Sequence, residues 1–324
     1  MPLDLSALST TPRLLFDVVV KPVQGRRFQP TGFPDLGAAT YRAGDTECLL
    51  VESAQSMANR LEATIWDAGS NTLVPTAKGL SYVQVNGKDG KFLTASILEA
   101  HRLNSVYVEK ADKGTFHKSL AEACKYSDKD PVDRTAFITA MFRHDVNSLL
   151  HGTFLESIGG RLRLPRALSA FIEAEGINVA ASGGVKNDHI MPGKDDGKES
   201  GEAKSAKDGY GNVPFHREEY TATTITASFN LDLQQIRSYG LGDAATRLLT
   251  ILALFKIRTL VDGNLRLRTA CDLEAVSDSI PARKPAGFQL PSQAELSAAL
   301  TEAIAANAAA LGAKEAITVV TFSK

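Results

Sequence analysis

Apolar and polar positions along the chain change period several times, and each change marks an element. Residues 14–20 (Leu-Leu-Phe-Asp-Val-Val-Val) form a β-branched apolar run closed by Lys21-Pro22, which predicts a buried first strand. A short apolar strand at 48–51 leads into 52–62, where Ser53 is a plausible N-cap for a short helix. Residues 80–85 alternate as a strand does, and 132–150 carry Phe137, Met141, Val146, Leu149 and Leu150 at helical spacing, predicting the longest mid-chain helix. Strands are expected at 167–174 and 177–181 around a turn at Glu175-Gly176, and at 220–233, where threonines alternate with apolar residues. A strongly apolar helix follows over 244–260, closed by Asp262-Gly263-Asn264. Residues 265–273 alternate with period two as one strand, 292–311 read as an Ala-rich helix stopped at Gly312, and 317–322 as a last strand. With insertions set aside the order is strand, helix, strand, strand, helix, strand: an α+β chain of ferredoxin-like, RRM-type order.

One stretch breaks the periodicity. Residues 182–210 hold Ser-Gly-Gly, Met-Pro-Gly and a long Gly/Lys/Asp/Glu/Ser run with almost nothing apolar to bury, which predicts a mobile excursion from the domain. Its roots, Val185-Lys186-Asn187-Asp188-His189-Ile190 and Val213-Pro214-Phe215-His216-Arg217, carry aromatic and basic groups instead. An arm with ordered roots and a flexible tip is expected.

Charge narrows the function. The 324 residues have a formal net charge of −1, which argues against a protein that coats nucleic acid by bulk electrostatics, so any such surface must be local. Three basic clusters qualify: Arg13, Lys21, Arg26, Arg27 and Arg42; Arg161, Arg163 and Arg166; and Lys256, Arg258, Arg266 and Arg268. Each is equally readable as a solvated face. Cys48, Cys124 and Cys271 are odd in number and widely spaced, so buried thiols are expected rather than disulfides or a metal site. The N-terminus lacks the pattern of a secretory signal and no long uncharged apolar run occurs, so a soluble, cytoplasmic protein without membrane contact is expected.

Several blocks of the chain resemble the backbone RAMP subunit of type I CRISPR effector complexes, specifically type I-G (formerly I-U). They are residues 52–62 (Glu-Ser-Ala-Gln-Ser-Met-Ala-Asn-Arg-Leu-Glu), 164–168, 182–188, 213–222, 229–232, 237–241 and 265–273. The resemblance implies one elaborated domain over 1–324. Its parts are an RRM-like palm, a helical insertion within 53–165 and a flexible thumb hairpin at 182–220. It also implies that copies stack along a CRISPR RNA, with each thumb displacing a guide base. Target DNA then binds through guide pairing, beside other Cascade subunits and a separate nuclease-helicase.

A subunit that accepts any guide must contact phosphate and sugar rather than bases. Ser53, Gln55, Ser56, Asn59 and Arg60 are suited to that, although the same residues also describe an ordinary capped amphipathic helix. Lys21, Gln24, Arg26 and Arg27 follow the first strand, with Phe28 either stacking on a base or sitting in the core. Arg161, Arg163 and Arg166 add a second basic group, and Lys186, His189, Phe215, His216 and Arg217 are the thumb candidates, beside Asn187 and Met191. No cofactor, metal or catalytic residue is expected. Asp17, Asp35 and Asp45 have no companions at metal spacing, His144 and His151 lack a third ligand, and no phosphate-cradling glycine loop is present. The competing readings are a metal-dependent RNA endonuclease of the same superfamily, using Asp35, and a general single-strand-binding module.

Overall fold

The computed structural model describes residues 3–33, 35–186, 213–263 and 265–323. Asn187, His189, Met191 and the middle of the 182–220 arm lie outside them. The fold is mixed α+β. In chain order its principal elements are β1 (Arg13–Pro22), β2 (Thr40–Ala43), β3 (Thr46–Glu52), α1 (Ala54–Ala63), β4 (Tyr82–Asn86), β5 (Phe92–Ala95), α2 (Arg134–His144) and α3 (Asn147–His151). They continue with β6 (Thr153–Leu155), β7 (Leu162–Leu164), β8 (Leu168–Glu175), β9 (Asn178–Lys186), β10 (Val213–Thr221), β11 (Thr224–Asp232), α4 (Leu233–Arg237) and α5 (Asp243–Gly263). The last are β12 (Arg266–Arg268), β13 (Cys271–Ala275), α6 (Gln293–Ala306) and β14 (Ile317–Thr321).

An antiparallel sheet in the order β12–β13–β1–β11–β8–β3–β2 organises the molecule. Its strands are amphipathic. On β1, Leu14, Phe16, Val18 and Val20 are buried, while Val19 is 43% exposed and Asp17 pairs with Arg283 at 2.6 Å. The apolar run at 14–20 is therefore not buried on both faces; register with β11 sends alternate residues outward. Ile225, Ala227, Phe229 and Leu231 of β11 and Leu168, Ala170, Ile172 and Ala174 of β8 complete the inner face, against which α1 and α5 pack. Although α5 is 21 residues long, Arg247, Lys256 and Arg258 interrupt it, and no helix among the described residues is long and apolar enough to cross a membrane.

Three sequence expectations are corrected. The helix expected at 132–150 breaks at Asp145, which is extended (φ −159°, ψ 90°), because its carboxylate accepts from the Ser148 hydroxyl (2.8 Å) instead of continuing the turn. The strand expected at 220–233 is two strands, separated where Thr223 turns back on Glu175 and Gly176. Residues 265–273 form the hairpin β12–β13 rather than one strand. The last strand forms where expected, as β14, and joins β4 in parallel within a separate sheet β14–β4–β5.

Beneath the sheet lies a buried polar network. Arg102 holds Glu62 of α1 through two 2.6 Å bonds and donates to the Gly152 carbonyl at 3.2 Å. Lys256 of α5, fully buried, donates to Asn147 Oδ1 (2.5 Å) and His151 Nε2 (2.9 Å). Burial pulls the Lys256 ammonium down to about 7 and keeps His151 neutral, so its Nε2 can accept. Burial also lifts the Asp145 carboxyl from 3.8 to about 6. A carboxyl raised on folding contributes stability below its unfolded value, and that contribution disappears as pH rises through its folded value. Asp145→Asn is therefore expected to become more stable than the natural chain as pH climbs through 4 to 6, by about 3 kcal/mol for two pKa units. Denaturant titrations across that window measure the difference; curves that stay parallel would rule the effect out.

Candidate nucleic-acid interface

Three of the sequence-selected regions come together around the β3–α1 junction. Residues 24–31 are fastened to it and to the root of the β9–β10 hairpin. Phe28 exchanges backbone bonds with Tyr220 (2.9 and 2.8 Å), and Thr31 N–H donates to the Val51 carbonyl (2.9 Å). Arg268 donates to the Gln29 carbonyl at 2.8 Å. Phe28 is fully buried, so it belongs to the core and does not present a stacking face. Its anchorage leaves the preceding turn, with Gly25 at φ +72°, projecting Gln24 and Arg26 into solvent. Lys21 (59% exposed) pairs with Glu274 at 3.3 Å and Arg27 (55%) with Glu219 at 3.7 Å, both loose surface contacts that an anion can displace.

At the junction Ser53 caps α1, its Oγ accepting from Ser56 N–H at 3.3 Å. The helix then divides its polar residues. Ser56 and Arg60 turn inward to Glu52, only 2% exposed, which also holds Arg268; Arg60 Nε lies 3.3 Å from the carboxylate, and its other nitrogens donate to the Arg266 and Leu267 carbonyls (3.2 and 2.6 Å). Gln55 and Asn59 face outward, bonded to each other at 3.2 Å, and Arg166 reaches Gln55 from the β7–β8 connection. The outward set is thus Gln55, Asn59 and Arg166. Ser56 and Arg60 serve the hub that ties α1 to the β12–β13 hairpin.

The basic clusters do not each make one stripe. Arg161 lies over the Tyr126 ring (5.3 Å) and donates to the Ser127 carbonyl (2.5 Å), whereas Arg163 is exposed on β7 with no partner among the described residues. In the third cluster Lys256 is buried, Arg258 is paired with Asp262 (2.6 Å) and Arg268 is turned onto Glu52, so only Arg266 stays exposed and the cluster supplies no basic groove.

On the hairpin, β9 and β10 pair from Asn178↔Thr221 to Lys186↔Val213. Phe215, 52% exposed, lies opposite Gly184; a Cβ there would sit 3.3 Å from the ring, so the glycine gives the aromatic its place across the strand. Lys186 and His216 are exposed, and Arg217 is held by Glu219 at 3.0 Å, which also takes the Ser182 hydroxyl (2.9 Å). Glu219 and Glu52 were not singled out by sequence; Glu52 ends β3 and Glu219 follows Glu218 within β10, and nothing local distinguishes either from a solvated carboxylate. All three cysteines are buried and free. Among the described residues no three His, Cys, Asp or Glu side chains are grouped to hold a metal ion.

The geometry is that of a mixed α+β protein in which a cationic loop is fastened both to the junction before an outward polar helix edge and to an aromatic hairpin root. The family described as "CRISPR-associated protein GSU0053" matches residues 14–179, just over half of the chain, and the chain belongs to it. It is thus a CRISPR-associated protein, as the resemblance implied. Among solved structures it is similar to one described as "CRISPR RNA-guided surveillance complex, pre-nicking", at 13% identity over 83% of this chain and 77% of that one, with a TM-score of 0.44. It is also similar to Csc2 of Thermofilum pendens, at 11% identity over 94% and 80%, with a TM-score of 0.30. No curated protein matches it.

Proposed function

We propose that the chain is the repeated, non-catalytic backbone subunit of a type I-G CRISPR effector complex. It binds guide RNA along the sugar-phosphate backbone without sequence preference, and copies associate head to tail along it. The guide is thereby presented for pairing with target DNA in the cytoplasm, beside other Cascade subunits, while cleavage is left to a separate nuclease-helicase. Family membership carries this reading, since it supplies the CRISPR setting.

The element order supports an RRM-like palm: β1, α1, β8, β11, α5 and β13 follow one another, with β13–β1–β11–β8 adjacent in the sheet. The helical insertion is read within 53–165 and the thumb at 182–220, of which β9 and β10 are the root. The exposed cations Lys21, Arg26 and Arg27, with Gln24, Gln55, Asn59 and Arg166, form a backbone-contacting set of the kind that ignores sequence. Lys186, Phe215, His216 and Arg217 supply the thumb's stacking and charged groups, with His189 assigned by resemblance.

Native mass spectrometry with and without CRISPR RNA and magnesium, followed by gel analysis of that RNA, tests the reading. The expected result is stepwise addition of several subunits to an intact RNA. A single bound copy, or RNA cut at regular intervals, would overturn it.

A further inference from the structure

Away from the loop and the hairpin, a surface cleft of about 510 Å³ gathers three arginines from distant parts of the chain: Arg13 at the start of β1, Arg134 at the start of α2 and Arg163 on β7. Against them stands one carboxylate, Asp232, which Arg13 meets at 2.9 Å. Arg134 has only the Ser238 hydroxyl at 3.3 Å, and Arg163 has no partner among the described residues. Bringing like charges together on a chain of net charge −1 is unfavourable until an anion sits among them. Beside the cleft, Phe154 stands 44% exposed, directly opposite Arg163 in the β6–β7 ladder, so aromatic ring and guanidinium share one face. An exposed aromatic next to a convergent set of cations is the arrangement that holds single-stranded nucleic acid: phosphate on the arginines, base on the ring. The cleft is also continuous with the helix edge described above. Its wall includes Pro165, whose carbonyl accepts from Gln235 (2.8 Å), and the next residue, Arg166, reaches Gln55 of α1.

We propose that Arg13, Arg134 and Arg163 bind the phosphodiester backbone of a single strand while Phe154 stacks on one of its bases. This extends the path of that strand beyond the loop and α1, and it rests on the guide-RNA reading for the strand's identity. The chemistry is common to RNA and DNA, so guide and target strands are separated by experiment.

Arg134→Gln/Arg163→Gln and Phe154→Ala are compared with the natural chain for binding of labelled oligouridylate and oligodeoxythymidylate of equal length, by anisotropy from 50 to 300 mM salt. Removing two phosphate contacts from a single strand should shrink the slope of log K against log salt by about 1.4 and weaken binding about 25-fold near 0.1 M salt. Phe154→Ala should weaken binding about five-fold or more with the slope unchanged, because stacking releases no counterions. Loss confined to oligouridylate assigns the cleft to guide RNA, loss confined to oligodeoxythymidylate to a DNA strand, and equal loss to a contact indifferent to the sugar; each supports the site. All substituted residues are surface-exposed, and unchanged thermal unfolding verifies the folds. If the natural chain binds neither oligonucleotide, the guide-RNA reading falls and this one with it. If it binds and both variants bind equally well, only the cleft is overturned.

Discussion

Arg102→Met should lower the stability of the chain by about 3–5 kcal/mol, because it leaves the Glu62 carboxylate buried without its counter-charge. Both groups are almost wholly enclosed, with side chains 6% and 1% exposed, and the fork-to-fork geometry at 2.6 Å leaves neither partner an alternative in water. Burial already pushes the Glu62 carboxyl up, and the Arg102 guanidinium is the largest influence opposing it. Once Arg102 is gone, only Lys256 and Arg166 remain as cations acting on it, and neither is within hydrogen-bond reach. The pair also fastens the mid-chain segment to the sheet, since Arg102 bonds Gly152 at the mouth of β6 while Glu62 belongs to α1. Denaturant unfolding measures the loss. A Glu62→Leu/Arg102→Met double variant should recover much of it, as apolar replacements of buried pairs commonly do. A single-variant loss below about 1 kcal/mol would mean that the pair does not hold these segments together.

That network also marks where sequence stops being informative. The strands β1, β8 and β9, the turn at Gly176 and the helix α5 were legible because period, β-branching and glycine placement are local signals, and the inner face they form follows from them. Pairing is not local. The hairpin β12–β13 turns at Thr269-Ala270, which offers none of the Gly, Pro or Asn that usually announce a turn, and its alternation continues through the reversal as if one strand ran on. β14 reads as a sheet strand, but only the tertiary fold decides that it lies parallel to β4 rather than against the main sheet.

The candidate site divides along the same line. Runs of cations are visible in sequence, yet whether a cation is free depends on the partners the fold brings to it. Glu52 takes up Arg60 and Arg268, Asn147 and His151 take up Lys256, and Tyr126 takes up Arg161. Conversely, Arg13 lies more than a hundred residues before Arg134 and Arg163, and the three meet only because the fold brings the starts of β1 and α2 to β7. Lys256 did carry a warning: a lone lysine within Ala-Leu-Phe-Lys-Ile, in the fully apolar middle of α5, faces the core, and a cation there must find internal partners.

Lys21 at the end of β1 and Arg26 and Arg27 in the loop after it are exposed, and neutralising them should produce the largest binding effect. In Lys21→Ala/Arg26→Ala/Arg27→Ala the slope of log K against log salt for single-stranded RNA should fall by about 2, since each phosphate contact contributes about 0.7. Extrapolated to 0.1 M salt, that slope corresponds to about a hundred-fold weaker binding. Little stability should be lost. The Lys21–Glu274 and Arg27–Glu219 pairs are loose contacts between side chains of which the cationic partner is more than half exposed, and such pairs contribute about 1 kcal/mol at most. The fold of the loop does not depend on its cations, because Phe28 is fixed to Tyr220 through backbone bonds and its ring lies in the core. Fluorescence anisotropy over a salt series, with oligouridylate and a mixed-sequence RNA of the same length, should show the same drop for both. A drop restricted to one sequence would mean that the loop reads bases, and an unchanged slope would move the phosphate path off the loop altogether.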